Sequence, residues 1–268
     1  MKVVILAGGY GTRLEEETVA IPKPLVSVGE YPILWHIMKI YSAYGFNDFI
    51  ICLGYKGYAI KQYFANYFLH HSDVTFDYTN GHETTVIHKK KVEPWKVTLV
   101  DTGLSTQTGG RIKRVQNFLD NEPFMLTYGD TVSDVDIGKL VEFHHAHKRV
   151  ATVTGVQPPG KWGALTVNNH QEVTSFAEKP VGDGGWINGG YFVLSPQVFD
   201  YLKFEDMTVW EHDPLEHLAK DGELMVYKHT GFWQCMDTLR NKSTLEKMWL
   251  SGQPPWKVWG EEVHAARS

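Results

Sequence analysis

The residues near the start of the chain that are best suited to chemistry form a glycine turn, Leu6-Ala7-Gly8-Gly9-Tyr10-Gly11-Thr12-Arg13-Leu14. Glycines let backbone N–H groups approach a phosphate closely, and an anion is stabilised at a helix N-terminus or a backbone nest. Arg13 adds a planar charged fork suited to phosphate oxygens, and Lys23, held between Pro22 and Pro24, adds a second fixed cation. Two better-known glycine loops do not fit. The P-loop needs Gly-Lys-Ser/Thr, and the dinucleotide fingerprint needs a third glycine where Leu14 stands. Two isolated carboxylates complete the set. Asp130 follows the apolar run Phe124-Met125-Leu126-Thr127-Tyr128 across Gly129, and Asp237 lies in Trp233-Gln234-Cys235-Met236-Asp237-Thr238. A divalent cation takes hard carboxylate oxygens and fills its other positions with water or further oxygens. Two aspartates from distant parts of the chain fit that need.

These residues must be positioned by regular elements. Val3–Leu6 is a short buried strand running into the turn, and helical periodicity follows from Pro32 to Tyr44. Phe49 to Leu53 reads as a second buried strand, and Tyr58 to Phe68 as a second amphipathic helix. Strand and helix alternating at this spacing predict a parallel α/β architecture, whose ligands collect outside the carboxyl ends of the strands. The stretch 74–100 alternates polar and apolar residues around Asn80-Gly81, a hairpin signal, and predicts a β-rich insertion. Further helices are expected over Arg111–Asn121, Leu140–His147, Val198–Leu202 and His212–Asp221. Further strands are expected over Ala151–Val156, Gly163–Val167, Asn188–Leu194 and Leu224–Tyr227. Residues 239–268 read as a C-terminal helix, Leu239 to Leu250, and a Pro/Trp-rich tail. No internal repeat or linker divides the chain, so 1–268 is read as one domain.

Composition narrows the class. The chain has 268 residues, 43% hydrophobic and 21% charged, which excludes a disordered or collagen-like chain. The net charge of −5 disfavours a general nucleic-acid binder. No apolar run is long enough for a membrane span, and the first apolar run reaches Gly8-Gly9 too soon for a signal-peptide core. Two cysteines, Cys52 and Cys235, cannot form a disulfide framework, and a reducing cytoplasm is expected. Of nine tryptophans, three sit with glycines, at Gly160-Lys161-Trp162-Gly163, Gly184-Gly185-Trp186 and Gly231-Phe232-Trp233. These clusters are expected on the rim of the site, where glycine admits a close ligand and tryptophan supplies a flat apolar wall.

The turn with Pro22-Lys23-Pro24 resembles the signature of the sugar-phosphate nucleotidylyltransferases. Later blocks resemble the branch that joins a cytidylyl group to glucose 1-phosphate: Pro32-Ile33-Leu34-Trp35-His36-Ile37-Met38, Gly54-Tyr55-Lys56-Gly57, Glu93-Pro94-Trp95, Val100-Asp101-Thr102-Gly103, Thr108-Gly109-Gly110-Arg111 and Gly231–Thr238. The resemblance implies a Rossmann-like nucleotidyltransferase (GT-A-like) fold with a mixed, mainly parallel sheet. It implies CTP and glucose 1-phosphate as substrates, CDP-glucose and pyrophosphate as products, Mg²⁺ as cofactor, and a homo-oligomer (trimer or hexamer), with no nucleic-acid or membrane partner. By the same resemblance Arg13 and Lys23 are catalytic, and Asp130 and Asp237 hold the metal. The nucleotide is bound by Leu6, Ala7, Gly8, Gly9, Gly11, Thr12, Arg13, Lys23, Thr106, Gly110, Arg111 and Gly129. The sugar phosphate is bound by Glu178, Lys179 and Asn188.

Base choice is not legible in the side chains, and UTP or dTTP is the alternative to CTP. Two other classes compete. A glycosyltransferase would use the DxD pair Asp134 and Asp136 as metal ligands, although acidic residues ahead of the helix at Leu140 are also expected as caps. A silent nucleotide-binding subunit would be expected to lose Arg13, Lys23 or an aspartate. His70-His71 and His144-His145-Ala146-His147 lack partners at ligand spacing and are expected to form a solvated face. Ile21 stands where the branch commonly has lysine, and Thr131 where it commonly has glycine.

Overall fold

The structure, a computed structural model, describes residues 1–79, 84–90, 92–158, 164–167, 171–177, 185–202 and 206–260. Seven strands make the central sheet: β1 (Val3–Leu6), β2 (Asp48–Leu53), β3 (Lys96–Asp101), β4 (Phe124–Tyr128), β5 (Ala151–Val156), β6 (Ile187–Leu194) and β7 (Leu224–His229). Across the sheet they run in the order β3-β2-β1-β4-β6-β5-β7. Only β6 is antiparallel to its neighbours; the other pairings are parallel. The order reverses between β1 and β4, so the carboxyl ends of Leu6 and Tyr128 open the switch-point crevice where ligands bind in such sheets.

Successive residues of a strand face opposite sides, and here both sides are covered. Val3, Ile5, Phe49 and Ile51 join one core with α1 (Ile33–Ala43), α4 (Ile137–His147) and α6 (Leu239–Leu250). Val4, Leu6, Ile50 and Cys52 join the other with α3 (Thr108–Arg114) and α5 (Asp213–Lys220). This two-sided burial explains why β1 and β2 read as unbroken apolar runs. The helix α2 (Gly57–Ala65) follows β2.

Three expectations shift. Lys96–Asp101 is not part of the insertion; it pairs in parallel with β2 as the sheet's edge strand. An edge strand is half wet, so its alternation looks the same as a hairpin's. The insertion is the hairpin Ser72–Asp77 with Thr84–Lys90, and the Asn80-Gly81 turn lies outside the described residues. The helix expected from Arg111 begins earlier, at Thr108, and ends at Arg114 before a short 3-10 turn, Gln116–Phe118. Finally, α1 is buried on more than one face, from Ile33 to Tyr41. The Pro/Trp tail supplies the second cover: Trp256 is fully buried, and Trp249, Trp256 and Trp259 ring His36.

Candidate active site

A cleft of about 570 Å³ opens at the β1/β4 switch point. Its walls come from the glycine turn, residues 104–108 with Arg111, the end of β4, Asn188, Glu211 and the Trp233–Asp237 segment. Leu6, Ala7, Gly8, Gly9, Gly11, Thr12, Arg13, Lys23, Thr106, Arg111, Gly129, Asp130, Asn188 and Asp237 all line it. Gly110 does not, and lies one residue behind the wall in α3. Glu178, Lys179 and Trp162 lie outside the described residues. Trp233 lines the cleft, while Trp186 packs outside it under Lys228.

Two distant carboxylates meet because a short antiparallel pairing joins their segments. Thr131–Ser133 pairs with Trp233–Cys235, and the Met236 N–H donates to the Asp130 carbonyl. Asp130 precedes one of these strands and Asp237 follows the other. Lys23, presented by a single 3-10 turn between its prolines, inserts its ammonium between them, 2.5 Å from Asp130 Oδ2 and 2.6 Å from Asp237 Oδ1. Arg13 reaches Asp237 Oδ2 at 2.9 Å while keeping most of its guanidinium in solvent. Burial alone would lower the Lys23 pKa, but Asp130 and Asp237 outweigh it and hold the ammonium above the ordinary lysine range. Burial would raise Asp237, yet Lys23 and Arg13 outweigh it and hold that carboxyl below the usual range.

The pair also fits a divalent cation. Its two carboxylates already converge on one positive charge, and they offer the hard oxygen donors that Mg²⁺ takes while leaving room for water and phosphate oxygens. Thr131 lines the cleft with little exposure, and its hydroxyl donates to Asp130 Oδ1 at 3.0 Å. Ile21 packs against the core. The DxD pair is elsewhere and lines no part of the cleft. Asp136 caps α4 by accepting the Lys139 N–H, and Asp134 contacts His229.

Arg111 lines the cleft and also braces it, and the reading of the α4 histidines needs correction. Arg111 is 5% exposed, and its guanidinium faces backbone rather than open solvent. It donates to the carbonyls of Gly8, Leu53, Gly103 and Leu104 and to the Thr102 hydroxyl. In this state it clamps the glycine turn to the ends of β2 and β3. The fit is close: a Cβ on Gly8 would lie 2.2 Å from Arg111 Nη1. Of the α4 histidines, His145 is exposed and His147 half-buried, but His144 is not solvated. His144 is buried between the hydroxyls of Thr152 and Ser195, and burial, then its histidine neighbours, pushes its pKa down to about 4. Among the described residues no group of three or more His, Cys, Asp or Glu could hold a metal.

Sequence reasoning missed Tyr128 and Glu211. Tyr128 reads as the last residue of a strand, and Glu211 sits in an irregular segment with no periodicity or motif around it. Both line the cleft, and Glu211 accepts hydrogen bonds from Tyr128 and Thr108 at 2.6 Å each.

The sheet order, with the glycine turn and the Lys-centred carboxylate pair at its switch point, is matched by a family model described as Nucleotidyl transferase over residues 2–241. The chain belongs to that family. It is 58% identical over 260 residues to the glucose-1-phosphate cytidylyltransferase of Salmonella typhimurium, covering 97% of this chain and 100% of that one. It is 49% identical over 259 residues to a probable glucose-1-phosphate cytidylyltransferase of Bacillus subtilis, again covering 97% and 100%. Among solved structures, HddC from Yersinia pseudotuberculosis superposes with a TM-score of 0.66 at 25% identity, over 92% of this chain and 99% of that one.

Proposed function

We propose that the protein transfers the cytidylyl group of CTP to α-D-glucose 1-phosphate, giving CDP-glucose and pyrophosphate. One observation carries the reaction type: Arg13, Lys23, Asp130 and Asp237 converge in one cleft at the switch point of the sheet. The choice of CTP and glucose 1-phosphate is supported by the near-full-length likeness to cytidylyltransferases.

The sugar phosphate has a second pKa of about 6, so its oxygen is a nucleophile at neutral pH without a general base. That oxygen bonds to the α-phosphorus of CTP, the bond from that phosphorus to the β-phosphate oxygen breaks, and pyrophosphate leaves. The obstacle is to bring two anions together in line, which calls for positioning and fixed positive charge. Lys23 supplies charge between the α-phosphate and the incoming sugar phosphate. Arg13, exposed at the mouth, binds the triphosphate and the departing pyrophosphate. Backbone groups of the glycine turn and of the segment at Thr106 hold the nucleotide. Asp130 and Asp237 would hold Mg²⁺, which when bound neutralises phosphate charge. Asn188 contacts the hexose, and the family resemblance adds Glu178 and Lys179 as binders of the sugar phosphate.

The protein works as a cytoplasmic homo-oligomer, a trimer or hexamer. Its cysteines are unpaired, and Phe76, Tyr78, Val86 and Ile87 stand exposed on and beside the insertion hairpin. No helix of the described residues is long and apolar enough to cross a membrane. Purified protein incubated with each nucleoside triphosphate and a panel of sugar 1-phosphates will release pyrophosphate fastest with CTP and glucose 1-phosphate. Mass analysis will identify CDP-glucose. Failure of every pair to release pyrophosphate overturns the reaction type, and a faster pair overturns the substrate choice.

A further inference from the structure

Asn188, Tyr128, Glu211 and Thr108 come from separated parts of the chain and line one cleft. Their hydrogen bonds all run toward a single acceptor. The Asn188 amide donates to the Tyr128 hydroxyl at 3.2 Å, and that hydroxyl donates to Glu211 Oε1 at 2.6 Å. From the other side the Thr108 hydroxyl donates to Glu211 Oε2 at 2.6 Å, while accepting the Trp210 N–H. The Asn188 amide cannot turn over without loss, because its oxygen accepts the Gly190 N–H at 2.8 Å. Gly190 holds a φ of +80°, and a Cβ there would lie 2.6 Å from the Tyr128 ring. The ring therefore seats against the backbone that carries Asn188.

An amide nitrogen has two N–H donors. With one spent on Tyr128 and the oxygen spent partly on Gly190, the second N–H is left with a fixed direction. Asn188 is otherwise exposed at the start of β6, and without this chain only the Gly190 N–H would hold its amide. We propose that Tyr128 and Glu211 are positioning residues that aim Asn188 at a hexose hydroxyl, and so set affinity for the sugar 1-phosphate rather than for CTP. This rests on reading Asn188 as a hexose contact within the function proposed above.

The test is steady-state pyrophosphate release by Tyr128→Phe, Glu211→Gln and the double variant, with thermal melts alongside. Tyr128→Phe keeps the ring and removes only the hydroxyl. Its KM for glucose 1-phosphate should rise about three- to tenfold, the range for one lost hydrogen bond, while the KM for CTP moves less than about twofold. Glu211→Gln should move the same KM in the same direction. The double variant should be no worse than the more affected single one, because one chain is broken once. A rise in both KM values together, or in neither, overturns the proposal, as does additivity in the double variant. Glu211→Gln keeps side-chain volume and carries the test if Tyr128→Phe lacks a cooperative melt. Wild-type protein that makes no pyrophosphate from CTP and glucose 1-phosphate instead defeats the functional reading, before any variant is compared.

Discussion

Lys23 meets both carboxylates with a single ammonium, so its removal strips a positive charge from the cleft and leaves two negative charges facing each other. Lys23→Ala should lower kcat by about 10²–10³, the range for losing one charge-stabilising donor; wild-type-like turnover in a pyrophosphate assay would remove Lys23 from the mechanism. Asp130→Asn keeps the size and loses the charge. It should abolish magnesium stimulation together with activity, and an active, magnesium-stimulated variant would contradict the metal assignment. Arg111 is a different kind of residue. Arg111→Lys replaces a fork serving five acceptors with a point charge and should lower stability by about 2–4 kcal/mol, read by urea unfolding. Lys23, Asp130 and Asp237 could be picked out from the chain because prolines, a strand end and a short motif mark them locally. The environment of Arg111 could not, because burial under the carbonyls of Gly8 and Leu53 depends on contacts made across the fold.

At the scale of elements, the site is a product of strand ends and caps. The pairing of Thr131–Ser133 with Trp233–Cys235 brings the two aspartates together, and Thr238, the residue after Asp237, caps α6. It does so through a capping box: its hydroxyl accepts the Asn241 N–H, and the Asn241 side chain accepts the Thr238 N–H. Thr238→Ala should cost about 1 kcal/mol of stability and raise the magnesium concentration needed for half-maximal rate, because Asp237 is then anchored on one side only. Unchanged magnesium dependence with lowered stability would confine the cap to a structural role. The parallel sheet was legible in the sequence where strands are buried on both faces, as at Val3–Leu6 and Phe49–Leu53. It was not legible at Lys96–Asp101, whose half-wet edge carries the same alternation as the neighbouring hairpin. The two-stranded pairing that unites the aspartates joins segments about a hundred residues apart, and no local pattern encodes such a contact.

For the molecule as a whole, acid should loosen the seam between the tail and α1. His36 is fully buried in α1 among Trp249, Trp256 and Trp259, and its Nε2–H donates to the Val28 carbonyl while Nδ1 accepts the Trp256 indole N–H. That arrangement requires the neutral ring, and burial pushes the His36 pKa down to about 4. His144, on the same side of the sheet within α4, is also pushed down to about 4. An unfolded histidine titrates near 6.5, at about 1.4 kcal/mol per pH unit. Between pH 6.5 and 4 the unfolded chain therefore binds protons that the folded chain refuses, and stability falls as pH falls. Above pH 6.5 neither state is protonated, and this contribution is flat. Each histidine contributes a slope approaching 1.4 kcal/mol per pH unit inside the window. The melting temperature should hold steady above pH 7 and drop between pH 6.5 and 5, with tryptophan emission shifting as the tail detaches. A double variant, His36→Gln with His144→Gln, should melt lower at pH 7 but lose most of the acid-dependent drop. A double variant that falls as steeply as wild type would transfer the acid sensitivity to the carboxylates around Lys23.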